Sequence, residues 1–187
     1  PFRTKPGLRR ALSLVIDRER LTHDVTRLGE LPAYGWVPPG TWNYSSHGFD
    51  YAARSMDEKL AEARALYAAA GYSAAKPLQF ELRYNTGESH NRLAVAVAGM
   101  WKEALGVQVK LVAVEFKVLQ DDIRARQMDL FRLAWIGDYN DAYNFLQYFK
   151  SDFGINLPHY RNAAYDHLLA NAAAEPDIAK RRATLEA

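Results

Sequence analysis

The chain reads LQFELRY at residues 78–84, where apolar and polar side chains alternate. This alternation predicts a β-strand with one buried face. The pattern then continues with helices at 89–105 and 116–126 and with further strands at 107–114 and 129–136. Strands separated by helices of this length predict parallel pairing through right-handed crossovers. We therefore predict an α/β fold with an open mixed sheet, βαβ units and flanking helices.

The flanks of this region read mainly as helices. Apolar residues recur at helical spacing over 6–24, where Asp17 is placed to cap a second turn, and a further helix over 56–70 ends at Gly71. Residues 29–50 are rich in Gly, Pro and aromatic side chains, which favours an ordered loop. Helical patterns resume at 142–150, 163–173 and 176–187.

Length and composition narrow the class of protein. The 187 residues are 49% hydrophobic, enough for one domain, which we expect to span residues 1–187. The formal charge of +2 is not gathered into a basic run, so nucleic acid is not an expected partner. No apolar stretch is long enough to cross a bilayer, no signal peptide is recognisable, and the absence of cysteine excludes thiol chemistry. Both termini read as mid-chain sequence, so we expect a piece of a longer secreted protein.

Ligands bind beyond the carboxyl ends of strands in an open parallel sheet. This rule selects residues 85–90, 115–117 and 136–141 as the places where a ligand crevice should form. Ten of the 23 aromatic residues lie between Phe131 and Tyr165, and Trp135 and Tyr139 bracket the end of the third predicted strand. Aromatic walls with a few polar groups are typical of small-ligand sites. Phe145, Tyr148 and Phe149 have helical spacing and are better explained as core.

Two charges stand out near the third strand. Asp141 is well placed to cap the helix that begins near Ala142, which leaves Asp138 free. Positions 132, 134, 136 and 138 share one face of an extended segment. Arg132 and Asp138 would then place opposite charges on that face, about 20 Å apart.

Catalytic patterns are weak. No nucleophile elbow and no phosphate-binding glycine loop occurs, and Asp138 and Asp141 lack a third carboxylate with a metal-loop spacing. The histidines have no metal-ligand spacing; they are His23, His47, His90, His159 and His167. We expect no metal, no cofactor and no enzyme. Two alternatives stay open: a hydrolase that uses Asp138 and His90 as acid and base, and an aromatic and arginine surface for single-stranded nucleic acid.

Several stretches resemble one family in order and spacing. They are RRALSLVIDRE at 9–19, PA at 32–33, VPPG at 37–40, YNT at 84–86 with His90, MWK at 100–102, LGV at 105–107 and WIGDYND at 135–141. Together they resemble the C-terminal lobe of the bacterial periplasmic oligopeptide- and dipeptide-binding proteins that serve ABC importers. The resemblance implies one lobe of a two-lobed periplasmic-binding-protein fold, and WIGDYND is its most specific part.

The resemblance also implies a function. Proteins of this family clamp an extended short peptide between two lobes and deliver it to the membrane subunits of an ABC transporter, outside the cytoplasm. On this basis the missing N-terminal lobe is an expected partner. Asp138 would hold the peptide ammonium, Arg132 its carboxylate, and the backbone of Ala134 and Ile136 would pair with it beside Trp135. The expected pocket residues are Asn85, His90 and Phe116. Phe116 departs from a commoner Trp and Ala142 from a frequent Pro.

Overall fold

Three parallel strands form the sheet, and the central strand is the first in sequence. They are β1 (Gln79–Asn85), β2 (Gln108–Val114) and β3 (Leu130–Phe131), in the spatial order β2–β1–β3. The β1–β2 register runs from Gln79 opposite Gln108 to Asn85 opposite Val114, and Arg83 lies opposite Phe131 on the other side. The predicted α/β class and its βαβ units are confirmed. Both described pairings are parallel, so the described sheet is parallel rather than mixed.

The computed structural model describes residues 2–45 and 48–187, which leaves His47 outside the described residues. These residues form two compact units. Unit 1 comprises residues 2–32 and 50–133, and unit 2 comprises residues 33–45, 48–49 and 134–187. None of the helices in the described ranges is both long and apolar enough to cross a bilayer.

Capping residues set where several helices of unit 1 begin and end. The Asp17 side chain accepts from the Arg20 amide at 2.9 Å, as its predicted capping role requires, and Ser55 and Glu58 form a reciprocal capping box. Gly106, with φ of 72°, ends the long helix before β2 in a left-handed conformation. The helices are α1 (Pro6–Leu14), α2 (Arg18–Arg20), a π-helical turn (Leu21–Thr26), α3 (Met56–Ala69), α4 (Glu88–Leu105) and α5 (Phe116–Arg124).

The core of unit 1 joins the sheet to its helices. Trp101 of α4 is buried, its ring meets that of Phe80 in β1 edge-on at 5.5 Å, and its indole donates to the Leu12 carbonyl oxygen at 2.8 Å. Leu119 of α5 is fully buried. These contacts fix the helix that follows each strand, and so fix the loops at the strand ends.

The third predicted strand is shorter than expected. We predicted residues 129–136, but regular pairing covers only Leu130–Phe131, and the Arg132 amide adds one bond to the Arg83 carbonyl oxygen at 2.8 Å. After Arg132 the chain leaves the sheet and enters unit 2. The apolar residues 133–136 are therefore not part of the pleated sheet. Arg132, rather than Ile136, is the residue at the end of the strand.

Unit 2 packs helices around a small apolar core. Its elements are α6 (Ala142–Leu146), a 3₁₀ turn (Gln147–Phe149), α7 (Ala163–Ala174) and α8 (Ile178–Glu186). Their core residues are Val37, Ala142, Leu169, Ala172 and Leu185. The loop that includes Val37 is held by Trp36, whose indole donates to the Phe145 carbonyl oxygen at 2.7 Å.

An ion pair joins α6 to α8. Arg181 donates to both carboxylate oxygens of Asp141, at 2.7 and 2.8 Å, and the same carboxylate caps α6 by accepting from the Tyr143 amide at 2.8 Å. Burial alone would raise the pKa of Asp141, but the hydrogen bonds from Arg181 and Tyr143 outweigh it, and the pKa lies below its ordinary value. The charged form of Asp141 thus stabilises the fold.

We expect Arg181→Met to lower the free energy of unfolding by about 2 kcal/mol at pH 7, because it leaves a mostly buried carboxylate without its cation. The pKa of an aspartate is about 3.9 in the unfolded chain and lower in the folded protein. The ion pair therefore stabilises the folded state fully above the unfolded pKa, and this stabilisation is lost as the pH falls through the folded pKa. Urea denaturation at pH 7 and pH 3 measures this difference.

Lys180→Met is the matched control. Lys180 is exposed on the same helix, and replacing it removes one positive charge without breaking an ion pair among the described residues. We expect its effect to stay within about 0.5 kcal/mol at both pH values. Equal losses for the two variants, or a loss for Arg181→Met that does not change with pH, would contradict the assigned role of the pair.

Candidate ligand-binding site

Three polar residues of unit 1 meet at the carboxyl edge of the sheet. Asn85 is the last residue of β1, Arg132 follows β3, and His90 lies in the first turn of α4. Arg132 donates from Nη1 to the Asn85 side-chain oxygen at 3.3 Å, and the Asn85 amide nitrogen lies 2.7 Å from His90 Nδ1. The structure thus brings together three of the residues that the sequence singled out.

Hydrogen-bonding capacity sets the direction of this chain of contacts. A guanidinium has only donors, so the Asn85 oxygen must face Arg132, and its NH₂ group then faces His90. His90 Nδ1 then accepts that bond, and it also lies 3.3 Å from the Asn85 backbone carbonyl oxygen. Asn85 therefore positions both of its neighbours.

Arg132 has no acidic partner among the described residues. Its side chain is half-buried, and burial alone lowers the pKa of the guanidinium from its ordinary value. Two other arginines of unit 1 have acidic partners: Arg10 pairs with Asp50 and Glu62, and Arg83 with Asp122. Because an arginine stays charged in proteins, Arg132 presents a partly desolvated cation that lacks a counterion. Such a group favours a carboxylate ligand.

Phe116 lies at the same edge of the sheet but does not take part in the hydrogen bonds that link Asn85, His90 and Arg132. It begins α5, directly after Glu115, whose carboxylate caps the helix by accepting from the Lys117 amide at 2.7 Å. Its side chain is 48% exposed, which is unusual for a phenylalanine and leaves the ring available to a ligand.

The remaining predicted site residues lie in unit 2, in the loop before α6. Ala134 and Asp138 are exposed, Ile136 is 86% exposed, and Trp135 is half-buried. The backbone groups of Ala134 and Ile136 make no hydrogen bond to any described residue. Open donors and acceptors of this kind suit the addition of an extended peptide.

Asp138 does not cap α6, because Asp141 has that role. Asp141 caps α6 and pairs with Arg181, which confirms its predicted capping role, whereas Asp138 has no hydrogen bond or ion pair within the described part of the chain. Ala142 occupies the first helical position, where a proline is also well tolerated. Its departure from the resembled pattern leaves the helix start intact.

Aromatic rings support this loop from below. Tyr148 is buried, as its helical spacing predicted, and its ring lies 5.7 Å from Trp135 and 5.4 Å from Trp36. Supporting roles for Trp36, Asn144 and Arg181 were not predicted from the sequence. Asn144 carried a usable signal, since it is a polar residue on the inward face of a helix among aromatic neighbours.

No group of three potential His, Asp or Glu ligands occurs in residues 2–45 and 48–187. His90 Nδ1 accepts from the Asn85 amide, so this nitrogen is already occupied in the hydrolase alternative, in which Asp138 and His90 would act as acid and base.

Comparisons with known proteins identify the family. Residues 1–156 match the bacterial extracellular solute-binding proteins, family 5 Middle. The whole chain is 39% identical to the periplasmic murein peptide-binding protein MppA of Escherichia coli, of which it covers 36%. Over 94% of its length it is 42% identical to the probable deoxycholate-binding periplasmic protein YgiS of the same organism, covering 33% of it.

A solved structure shows the same fold. The chain superposes on Haemophilus influenzae OppA in complex with the peptide RPPGFSPFR with a TM-score of 0.87 and 35% identity, over 96% of this chain and 36% of that one. The chain thus spans about a third of the length of the relatives it matches. It belongs to the family 5 bacterial extracellular solute-binding proteins.

Proposed function

We propose that residues 1–187 are part of one lobe of a peptide-binding protein that works outside the cytoplasm and delivers short peptides to an ABC importer. The observation that carries this proposal is the segment from Arg132 to Asp138. It has an unpaired cation at one end, an unpaired carboxylate at the other and free backbone groups between them. Backbone pairing binds peptides without regard to side chains, and the end charges recognise the termini.

The relatives support the same conclusion. Their names describe periplasmic binding of murein peptides and oligopeptides, and the Haemophilus influenzae structure contains a nine-residue peptide. Since the chain matches only about a third of each relative, the second lobe and the membrane subunits of the importer are its proposed partners. We propose no cofactor, no nucleic acid partner and no catalytic role.

We further propose the direction of the bound peptide. Its ammonium lies at Asp138 and its carboxylate points toward Arg132, so that it runs antiparallel to residues 132–138. In unit 2, Trp135 supplies an apolar wall close to Asp138. In unit 1, Asn85 and His90 hold Arg132 in place, and Phe116 supplies a second apolar wall. In the hydrolase alternative Asp138 and His90 would act as acid and base on a bound substrate. In a binding protein neither residue needs to transfer a proton.

A bile acid is the second candidate ligand, because YgiS is 42% identical to this chain and is described as a probable deoxycholate-binding protein. Deoxycholate carries a carboxylate that Arg132 would suit, but it has no ammonium group for Asp138. The two ligand classes therefore differ in their need for Asp138.

Asp138→Ala tests the ammonium site in the full-length protein. A charge-assisted hydrogen bond is worth about 1.5–3 kcal/mol, so we expect peptide affinity to fall roughly ten- to a hundredfold or more. Isothermal titration calorimetry with a peptide and with deoxycholate provides the measurement. Asp152→Ala is the control, since Asp152 is an exposed acid of unit 2 that pairs with Lys150. Unchanged peptide affinity in Asp138→Ala would remove Asp138 from the site.

Arg132→Ala tests the carboxylate site. We expect a loss of roughly tenfold or more for the shortest peptides, and a smaller loss for longer ones, whose carboxylates extend past the guanidinium. Affinities for a length series, each with a free or an amidated carboxyl end, measure the effect. Amidation should weaken binding of short peptides to the wild-type protein and change little in the variant. A uniform loss at every length would refute the terminal role of Arg132.

A further inference from the structure

One buried amide connects both flanks of Asp138. Asn144, in α6, is fully buried, and its side-chain oxygen accepts from the Trp135 indole nitrogen at 2.8 Å. Its side-chain nitrogen donates to the Tyr139 carbonyl oxygen at 3.5 Å. Trp135 precedes Asp138 by three residues and Tyr139 follows it directly. The amide of Asn144 thus holds the chain on either side of the exposed carboxylate.

Two further contacts hold the same loop against α6. The backbone amide of Asn144 donates to the Asp141 carbonyl oxygen at 3.1 Å, which closes the first turn of the helix. The Phe145 ring lies directly beneath Gly137, where an added Cβ atom would come within 2.7 Å of the ring. Only a glycine allows this close approach. Residues on both sides of Asp138 are therefore held, although Asp138 itself makes no hydrogen bond or ion pair in the described chain.

A buried amide has a cost that an apolar residue would not have. Burial of polar atoms is unfavourable unless they are hydrogen-bonded, and a leucine-sized apolar side chain would fill a core position without that requirement. The amide contributes something that an apolar residue lacks, which is directional bonds to two separate points of one loop. A loop already ordered in the bound geometry loses less entropy when the ligand arrives.

We propose that Asn144 is a positioning residue for ligand recognition: by holding Trp135 and Tyr139 it fixes the loop so that the Asp138 carboxylate is preorganised for the ligand ammonium. Asn144 itself contacts no ligand, because it is fully buried. This inference rests on the proposed function of Asp138 and adds the residue through which its geometry is set.

The test compares a peptide that has a free amino end with the same peptide N-acetylated, using the full-length protein. Asn144→Ala should reduce affinity for the free-amine peptide about tenfold, the size of one weakened charge-assisted contact, and leave the N-acetylated peptide unaffected. In a double-mutant cycle, adding Asn144→Ala to Asp138→Ala should cause no further loss.

Asn156→Ala is the matched control. Asn156 is also a buried asparagine of unit 2, and its side chain holds a different loop, donating to the carbonyl oxygens of Lys150 and Tyr160 at 3.1 and 2.8 Å. The Asn156→Ala variant should be less stable in thermal unfolding. The ratio of its affinities for the free-amine and N-acetylated peptides should not change. If Asn144→Ala does not fold, Gly137→Ala replaces it, since its Cβ atom displaces the same loop from the Phe145 side.

The outcomes separate this inference from the proposed function. Equal losses for both peptides, or losses that add to those of Asp138→Ala, would overturn the positioning role while leaving Asp138 in the site. If instead the wild-type protein does not distinguish the two peptides and Asp138→Ala has no effect, the ammonium site itself is wrong and the inference is wrong with it.

Discussion

Parallel pairing on both sides of β1 is the constraint on which the site in unit 1 depends. Because β2 and β3 both run in the direction of β1, all three strands end at one edge. That edge receives Asn85 from β1 and Arg132 from β3, and the crossover helix α4 returns His90 to it. An antiparallel third strand would place Arg132 at the opposite edge, out of reach of Asn85. The hydrogen-bonded chain of these three residues thus follows from topology.

The charged residues that join the helices and strands differ from those of the candidate site in whether they form ion pairs. Two acidic groups that join separate elements have cation partners: Glu62 pairs with Arg10 and Arg54, and Asp141 pairs with Arg181. Arg132 and Asp138 are left without such partners within the described residues. Arg132 and Asp138 therefore contribute no ion pair to the described fold, and in the proposed function a ligand would supply the missing partners.

Local signals in the sequence predicted most of the frame. Caps at Asp17 and Asp141 and the left-handed glycine at 106 were identifiable, because each acts within a few residues of its position. The length of β3 was not, because residues 133–136 are apolar enough for a strand but do not pair with the sheet. Asn144 and Arg181 were missed because their roles depend on partners in other elements, and Arg181 lies 40 residues from Asp141. The pairing of Arg132 with Asn85 spans 47 residues and likewise leaves no local trace.

The composition of unit 2 has a consequence for how the chain folds. Residues 33–45 precede the whole sheet in sequence, yet Val37 belongs to the core built by helices near the carboxyl end, and Trp36 bonds to Phe145 across 109 residues. Contacts of such sequence separation form late, because loop closure must be accomplished before they give any stabilisation. During synthesis the early segment therefore waits with Trp36 and Val37 uncovered until α6–α8 emerge. A factor that shields apolar surface would be most needed in that interval.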